Sequence, residues 1–252
     1  MSEPLLQIQN LVHRFANGVQ AVKGVNWQIQ KGEFIVLSGS NGSGKTVLVR
    51  HFNGLLQPTS GSVLLWGKPV SRQLLIARQT IGLVFQDAAS QMVAQTVYEE
   101  VAFGPENLRL TASEINHRVT QALQTTGLTG LENRHPLELS GGQQRRLAIA
   151  GILAMQPAMI VLDEPFNGLD YEGVVQTLQQ IVSLHQNGHT ILVITHDLEK
   201  TLAHATRLAI MHQGQMVLDG TPQTVLPQAE KYGVKPPYHY HQRPLNSITW
   251  LT

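Results

Sequence analysis

The sequence predicts an α/β fold built on a parallel sheet, and three observations support that prediction. Continuous apolar runs at residues 34–37, 159–162 and 191–194 are typical of strands that are buried on both faces. A stretch with helical periodicity, residues 172–185, lies between the last two runs. Strand, helix and strand in that order favour parallel strands joined by right-handed crossover connections.

The N-terminal part of the chain adds two predicted hairpins. Residues 5–12 and 19–30 alternate partly between apolar and polar side chains, and Asn17-Gly18 between them is a hairpin signal. Residues 61–70 predict a second hairpin, which turns near Gly67-Lys68. These strands are expected to be antiparallel, because short turns join only antiparallel neighbours.

The central part of the chain is predicted to be mostly helical. A first helix follows the glycine-rich sequence after residue 37 and runs to about residue 53. A short buried strand at residues 81–85 precedes a helical insertion at about residues 87–156, in which residues 111–126 form the clearest helix. The insertion therefore separates the two halves of the α/β core.

The longest uncharged stretch does not predict a membrane span. Residues 147–162 are 16 residues long, contain Gln156 and Pro157, and run into two carboxylates. A bilayer span needs about 20 apolar residues. We interpret the stretch as a helix end, a turn and a buried strand. The N-terminus lacks the basic and apolar regions of a secretory signal, so the chain by itself is not expected to cross a membrane.

The C-terminal part contains one further helix start and a tail. Thr221-Pro222 predicts an N-cap followed by proline at the first helical position. Residues 228–252 are rich in Pro, Tyr and His and show no period, so no structure is predicted for them. The domain assignment is accordingly one domain over residues 1–227 and a C-terminal tail.

The composition excludes several classes of protein. The 252 residues carry a net charge of +1, which argues against binding of nucleic acid through bulk positive charge. Charged residues make up 14% of the chain, against about 25% in average proteins. A surface with so few charges is compatible with a face that a partner covers. Cysteine is absent, which excludes disulfides and thiolate metal sites.

A phosphate-binding loop is predicted between the strand at 34–37 and the helix after it, because the segment fits the pattern G-x-x-x-x-G-K-[ST]. The segment comprises Gly39, Ser40, Asn41, Gly42, Ser43, Gly44, Lys45 and Thr46. Glycines let successive backbone N–H groups point at phosphate oxygens, and the helix N-terminus adds positive charge. Lys45 is predicted to reach the β- and γ-phosphates, and Thr46 to offer its hydroxyl to Mg²⁺.

Two carboxylates follow the strand at residues 159–162. Asp163 and Glu164 are expected at the carboxyl edge of the parallel sheet, where ligands bind in open α/β folds. Asp163 is predicted to support the Mg²⁺ shell, and Glu164 to orient or deprotonate the attacking water. Beside the phosphate-binding loop, this acidic pair predicts hydrolysis of a nucleoside triphosphate.

The segment Leu139-Ser140-Gly141-Gly142-Gln143 points to a family. Ser140 is placed to cap a helix whose N-terminal backbone N–H groups face outward, which makes a second phosphate site. With this motif the chain resembles the nucleotide-binding subunit of ATP-binding cassette (ABC) transporters over about residues 5–225. The resemblance implies a P-loop ABC ATPase cassette with a RecA-like parallel-sheet core, an antiparallel β subdomain and a helical signature subdomain.

The resemblance also implies roles for residues in the chain's own ATP pocket. Gln86 matches the Q-loop glutamine that meets Mg²⁺ and faces the membrane subunit. His196 matches the switch histidine that contacts the γ-phosphate and, with Glu164 and Lys45, completes the expected catalytic group. Phe15 matches the aromatic side chain that stacks on adenine. Residue 47 is Val, where many relatives carry Thr near the α-phosphate, and this departure is expected to weaken nucleotide binding slightly.

A further set of residues is implied to act across a dimer. Ser140 and Gly142 are expected to close on the γ-phosphate that a partner cassette holds, and Asp170 of the D-loop is expected near the dimer seam. The partner is a second ATPase subunit, either identical or a sister protein. The single chain is thus expected to lack a complete catalytic site.

The segments 85–87, 95–97, 101–108 and 143–151 look like those of ATPase subunits of energy-coupling-factor (ECF) importers. Residues 88–90 are Ala-Ala-Ser, where that group usually has proline and acidic residues. The resemblance implies ATP-driven import of a metal ion or vitamin at the cytoplasmic face of the membrane. It also implies a transmembrane coupling subunit and a membrane substrate-binding subunit as partners, and no nucleic acid.

Other functions fit the sequence less well. A soluble ABC ATPase acting on DNA or ribosomes usually has coiled-coil inserts, zinc modules or two cassettes, and none is visible. A P-loop kinase for small molecules would not explain the signature motif. The ATPase of an ABC transporter outside the ECF group is a further alternative. His239 and His241 in the tail are interpreted as solvated side chains rather than as metal ligands.

Overall fold

Two sheets and seven helices make up the part of the chain that the computed structural model describes, namely residues 3–238, 240, 242–247 and 249–251. The strands are β1 (Leu6–Arg14), β2 (Gln20–Ile29), β3 (Phe34–Ser38), β4 (Ser60–Leu65), β5 (Lys68–Pro69), β6 (Ile81–Val84), β7 (Met159–Asp163), β8 (Thr190–Ile194), β9 (Arg207–His212) and β10 (Gln215–Gly220). The helices are α1 (Lys45–Val49), α2 (Leu74–Thr80), α3 (Val97–Asn107), α4 (Ala112–Thr125), α5 (Gly141–Leu153), α6 (Tyr171–Gln186) and α7 (Pro222–Ala229). Within these described residues, each helix is too short or too polar to span a bilayer.

The larger sheet has the strand order β10-β9-β3-β8-β7-β6, in which all neighbours are parallel except β10 and β9. Strands β3, β6, β7 and β8 are buried along their whole length, as their apolar runs predicted. The smaller sheet, β2-β1-β4-β5, is antiparallel. The predicted α/β class with a parallel sheet and an antiparallel β subdomain is confirmed.

Three apolar cores hold these layers together. The first lies between the two sheets and includes α1 and α2. The second packs α6, α7 and part of α5 on the opposite side of the large sheet. The third lies within the helical subdomain, among α3, α4 and α5. Because α5 contributes to the second and third cores, it connects the helical subdomain to the sheet that carries the carboxylates.

Several predicted elements end at different residues in the structure. The helix after the phosphate-binding loop stops at Val49 rather than near residue 53, because the next residues form tighter turns that end at Gly54, with φ of +73°. The strand at 81–85 stops at Val84, since the N–H of Phe85 donates to the Gln91 side chain instead of to a neighbouring strand. The second hairpin turns at 66–67, and its return strand is two residues long.

The predicted helix caps are partly confirmed. Helix α4 lies within the predicted 111–126. Its cap, a reciprocal box between Thr111 and Glu114, was not predicted. Pro222 begins α7 as predicted, but the Thr221 hydroxyl donates to Thr224 Oγ1 and does not cap the helix. Helix α2 and the β9–β10 hairpin were not predicted.

Candidate functional site

The phosphate-binding loop joins β3 to α1. Its glycines are required by backbone conformation, and Gly39 and Gly44 also by space. Gly39, Gly42 and Gly44 have φ of +143°, +77° and +101°, a region that other residues rarely adopt. A Cβ on Gly39 would lie 2.1 Å from the Met211 carbonyl oxygen, and one on Gly44 would lie 2.3 Å from that of Ala21. The loop is therefore held between β9 and β2, and its curvature is set by its neighbours.

Lys45 is buried inside this loop. Its Nζ donates to the carbonyl oxygens of Gly39 at 2.7 Å and of Ser40 at 3.0 Å. Burial lowers the pKa of the Lys45 ammonium, and the nearby carboxylates of Glu164 and Asp163 partly offset this effect. A cation with so little access to water is well placed to bind an anion at the loop.

Asp163 and Thr46 form the link between β7 and α1. The Thr46 hydroxyl donates to Asp163 Oδ2 at 2.7 Å, and Asp163 is buried at the carboxyl end of β7. Burial raises the pKa of Asp163, and the Thr46 hydrogen bond opposes that rise. Gln86, Asp163 and Thr46 line one cleft beside the phosphate-binding loop. A hydroxyl, a carboxylate and an amide oxygen are the hard donors that Mg²⁺ takes, so these residues fit that ion.

Glu164 and His196 come from the ends of neighbouring strands and meet above the cleft. His196 Nδ1 lies 2.8 Å from Glu164 Oε1, and the Thr195 hydroxyl donates to Oε2 at 3.2 Å. The backbone of Glu164 is in the left-handed region, with φ of +47°, and its N–H donates to the Ile194 carbonyl. Strain of this kind is typical of functional residues. In Glu164 this left-handed backbone conformation turns the carboxylate toward the end of β8.

The nucleotide cleft is a single open cavity of about 510 Å³. The predicted residues that line it are Phe15, Asn41, Gly42, Ser43, Gly44, Lys45, Thr46, Val47, Gln86, Asp163 and Glu164. Ser40 contributes its carbonyl to Lys45 from behind the loop, and the imidazole of His196 is exposed beside Glu164. The structure therefore brings the P-loop, the acidic pair and the Q-loop glutamine together.

The signature motif lines a different cavity. Ser140 accepts a hydrogen bond from Gln143 N and caps α5, which confirms the predicted cap. Asp170 caps α6 by accepting from Gly173 N at 2.8 Å. Ser140, Gly142 and Asp170 line this signature cavity of about 460 Å³. Of the described residues, none lines both the signature cavity and the nucleotide cleft.

Arg145 connects the two regions, and its role was not predicted from the sequence. Its guanidinium is buried and donates to the carbonyl oxygens of Phe85 at 2.8 Å and Gln86 at 2.7 Å. The helix that begins at the signature motif thus holds the Q-loop backbone directly. An arginine in an apolar helix pattern gives no sequence signal for this contact, because the partner atoms are backbone carbonyls far along the chain.

The turn between β9 and β10 was also missed. Gln213 and Gly214 both have positive φ and line the nucleotide cleft. Gly214 N donates to the Ser43 carbonyl at 3.0 Å, and Lys23 N donates to the Gly214 carbonyl at 2.8 Å. The turn therefore supports the phosphate-binding loop. A glycine between two apolar runs was the available signal for a two-residue hairpin.

A pair of histidines lies behind Phe15. The Phe15 ring is 41% exposed and packs edge-on against His13, with centroids 4.8 Å apart. His13 Nδ1 lies 3.1 Å from His51 Nε2, and His51 Nδ1 lies 2.8 Å from the Val47 carbonyl oxygen. Burial lowers the pKa of His51. This buried pair links β1, which ends directly before Phe15, to the helix that follows the P-loop.

His239 and His241 lie outside the described residues. Among the residues that are described, His, Asp and Glu side chains form no cluster of three that could hold a metal ion.

The glycine loop between β3 and α1 buries a lysine, and the two carboxylates lie at the end of β7, which β8 separates from β3. This arrangement defines a P-loop nucleoside triphosphatase. Residues 22–167 match the family model described as "ABC transporter". The chain belongs to this ABC transporter family.

Individual relatives agree with the family match. The chain is 44% identical over 229 residues to the energy-coupling factor transporter ATP-binding protein EcfA of Methanocaldococcus jannaschii, which covers 90% of this chain and 82% of that protein. The solved structure of cbiO1 from Clostridium perfringens, part of the ABC transporter complex cbiONQ, superposes with a TM-score of 0.81 at 36% identity and covers 95% of this chain and 98% of cbiO1. A dimeric ATP-binding cassette in a post-hydrolysis state bound to ADP and Pi gives a TM-score of 0.76 at 28% identity, with 86% and 98% covered.

Proposed function

We propose that this chain is the ATP-hydrolysing subunit of an ECF-type membrane importer, in which ATP closes a pair of cassettes and hydrolysis reopens it. The observation that carries the proposal is the separation of two phosphate-binding surfaces within one chain. Lys45 and the carboxylates lie in the nucleotide cleft, whereas Ser140 and Gly142 line the signature cavity. Two chains facing each other supply both surfaces to each ATP.

The residues of the nucleotide cleft are already placed to make the contacts that bind ATP. Lys45 exchanges the carbonyl oxygens of Gly39 and Ser40 for β- and γ-phosphate oxygens, whose negative charge matches the ammonium better. The N–H groups of the curled loop and the N-terminus of α1 add donors. The exposed face of Phe15 stacks on adenine, as the resemblance to ABC cassettes implies.

Thr46, Asp163 and Gln86 are the residues that hold Mg²⁺, which neutralises phosphate charge when it is bound. Asp163 is already oriented by its hydrogen bond from Thr46. Because burial raises the pKa of Asp163, a nearby cation stabilises its ionised form.

Glu164 orients and deprotonates the water that attacks the γ-phosphate. The contacts from Thr195 and His196 fix its carboxylate above the cleft. Because Nδ1 of His196 faces Glu164 Oε1, the Nε2 of the same ring is the nitrogen left to contact the γ-phosphate. Asp170 lines the signature cavity together with Ser140, which supports its assignment to the dimer seam.

The ATPase cycle is transmitted to a transmembrane coupling subunit through the Q-loop. Arg145 ties the carbonyl oxygen of Gln86 to the signature helix, so movement of one moves the other. The cassettes act as a homodimer or with a sister ATPase at the cytoplasmic face of the membrane. A membrane substrate-binding subunit selects the solute, and the ECF resemblance points to a metal ion or vitamin.

A mixing experiment tests the shared site. Lys45→Ala removes the phosphate contact in the cleft, and Ser140→Arg blocks the signature cavity, so each purified variant alone is expected to lose ATP hydrolysis. Mixing the two restores turnover, because the mixed dimer contains one intact Lys45 facing one intact Ser140.

The control mixes Lys45→Ala with Glu164→Gln. Both changes lie in the nucleotide cleft, so the mixed dimer has no intact site and should stay inactive. Thermal melts confirm that each variant is folded. Equal recovery in both mixtures, or full turnover by a strictly monomeric chain, would contradict the proposal.

A further inference from the structure

The segment after His196 depends on outside contacts for its conformation. It consists of two short 3₁₀ turns, Leu198–Lys200 and Leu202–His204, rather than a continuous helix. Isolated turns of this kind have few internal hydrogen bonds and little cooperative stability. The position of the segment is therefore set by what packs on it.

The C-terminal tail packs on this segment at three points. Tyr238 N donates to Glu199 Oε1 at 2.9 Å. The Thr249 hydroxyl lies 2.9 Å from His204 Nε2. The third contact is made to Lys200, which lies between Glu199 and His204 in the chain. The Trp250 ring centroid lies 5.4 Å from Lys200 Nζ, within the range of a cation–π interaction.

Lys200 connects the Trp250 contact to the catalytic residues. Its Nζ bonds Asp197 Oδ2 at 2.5 Å, and Asp197 directly follows His196 in the chain. The same Nζ lies 5.9 Å from the centroid of the Phe166 ring, two residues after Glu164. The ammonium is thus held between two aromatic rings and one carboxylate, and it is mostly shielded from water.

Trp250 also reaches the D-loop side. Its ring lies against Tyr171, with centroids 5.5 Å apart and planes inclined by 31°. Tyr171 is the first residue of α6 and follows the cap residue Asp170. One tail side chain therefore contacts both the segment after the switch histidine and the helix that begins at the predicted dimer seam.

We propose that Trp250 is a positioning residue for ATP hydrolysis, because it fixes the segment after His196 against the start of α6. This inference rests on the proposed function. Trp250 is not among the described residues that line the nucleotide cleft or the signature cavity. Its removal should therefore affect turnover through His196 and Asp170 while leaving ATP binding in the cleft intact.

The test compares Trp250→Ala, Trp250→Phe and Lys200→Met in the full-length chain. Trp250→Ala is expected to lower kcat by about threefold to tenfold, since it removes the cation–π contact. Lys200→Met removes that contact and also the ion pair with Asp197, so its kcat is expected to fall at least as far. The affinity for ATP, measured by calorimetry, should stay near the wild-type value. Trp250→Phe keeps an aromatic face and should restore most of kcat. Trp66→Ala, at an exposed tryptophan in the antiparallel sheet's turn, is the matched control and should behave as wild type.

A second readout does not depend on hydrolysis. Hydrogen exchange of the peptide spanning residues 197–204 should become faster in Trp250→Ala, whereas peptides of β3 and the P-loop should exchange as in wild type. Unchanged exchange in that peptide overturns the inference even if the chain hydrolyses no ATP. An active wild type with unchanged kcat in Trp250→Ala also overturns it and leaves the proposed ATPase function standing. Loss of ATP affinity in parallel with kcat, without rescue by Trp250→Phe, shows general destabilisation and overturns it as well.

Discussion

Replacing Thr46 with valine tests whether the buried hydrogen bond to Asp163 stabilises the nucleotide cleft. Valine keeps the shape of threonine and removes the hydroxyl. Thr46 is the only hydrogen-bond donor to the Asp163 side chain among the described residues. Hydrogen bonds to charged groups contribute about 1.5–3 kcal/mol, and a buried carboxylate that loses its partner keeps its desolvation cost. For a chain of this length, that loss lowers Tm by about 3–12 °C.

The effect of Thr46→Val should depend on pH in a defined direction. The hydroxyl holds down the pKa of Asp163 against the effect of burial, so its loss raises that pKa further. The destabilisation is greatest at pH values above the raised pKa of Asp163, where the carboxylate is ionised. It shrinks as the pH falls through the raised pKa of Asp163, because a protonated carboxyl depends less on the donor.

Thermal melts of wild type, Thr46→Val and Thr46→Ser across this pH range provide the measurement. Serine keeps the hydroxyl and loses one partly buried methyl group, which costs at most about 0.8 kcal/mol. Calorimetric titration with ATP, with and without Mg²⁺, adds a functional readout: Thr46→Val should lose most of the gain in affinity that Mg²⁺ provides. Equal melting temperatures for the serine and valine variants, or a destabilisation that does not vary with pH, would refute the reasoning.

Two further predictions concern Glu164 and His51. Glu164→Gln should keep ATP binding, lower turnover by about 10²–10⁴-fold and trap an ATP-bound dimer, because the general base is lost while the phosphate contacts remain. Light scattering and ATPase assays measure this, with the surface substitution Glu230→Gln as control, and wild-type turnover in Glu164→Gln would remove this residue from the mechanism. His51 has a lowered pKa in the folded chain, so the unfolded chain binds more protons as the pH falls below the ordinary histidine pKa of about 6.5. Stability should therefore decrease from neutral pH toward the lowered pKa of His51, and His51→Gln should show a shallower decrease in urea unfolding. Identical slopes would show that His51 does not titrate in this way.

The strands of the large sheet were predictable because strands buried on both faces have continuous apolar sequences. The P-loop, the acidic pair and the signature motif were likewise predictable, since each combines residue types that phosphate binding requires at fixed spacing. The predicted cap at Ser140 follows from the same logic, because a helix N-terminus needs a side-chain acceptor. These features depend on residues that are close together in the chain, so a local sequence pattern is enough to predict them.

Features that join distant segments were not predictable from patterns. Arg145 donates to backbone carbonyl oxygens, which carry no residue identity. The sequence predicts no structure for the tail, yet Trp250 and Leu245 pack against the second core and the tail contacts the segment after His196. Its contacts are single side chains spaced irregularly along the chain, so they produce no period. The early end of α1 depends on tight turns and on Gly54, where added side-chain atoms would meet Leu74.

The contacts around the site also indicate where the cassette moves. The P-loop is fixed by the backbone hydrogen bond from Gly214 to Ser43 and by the close approach of Gly39 to β9, so it cannot shift without displacing strands of the sheet. The Q-loop, by contrast, is held by side chains: Arg145 binds its carbonyl oxygens, and Gln91 binds the N–H of Phe85. Side-chain contacts can rearrange at far lower cost than the hydrogen bonds of a buried sheet. We therefore expect ATP to leave the P-loop and the large sheet nearly unchanged and to reorient the helical subdomain about the Q-loop, which carries the signature motif toward the partner chain.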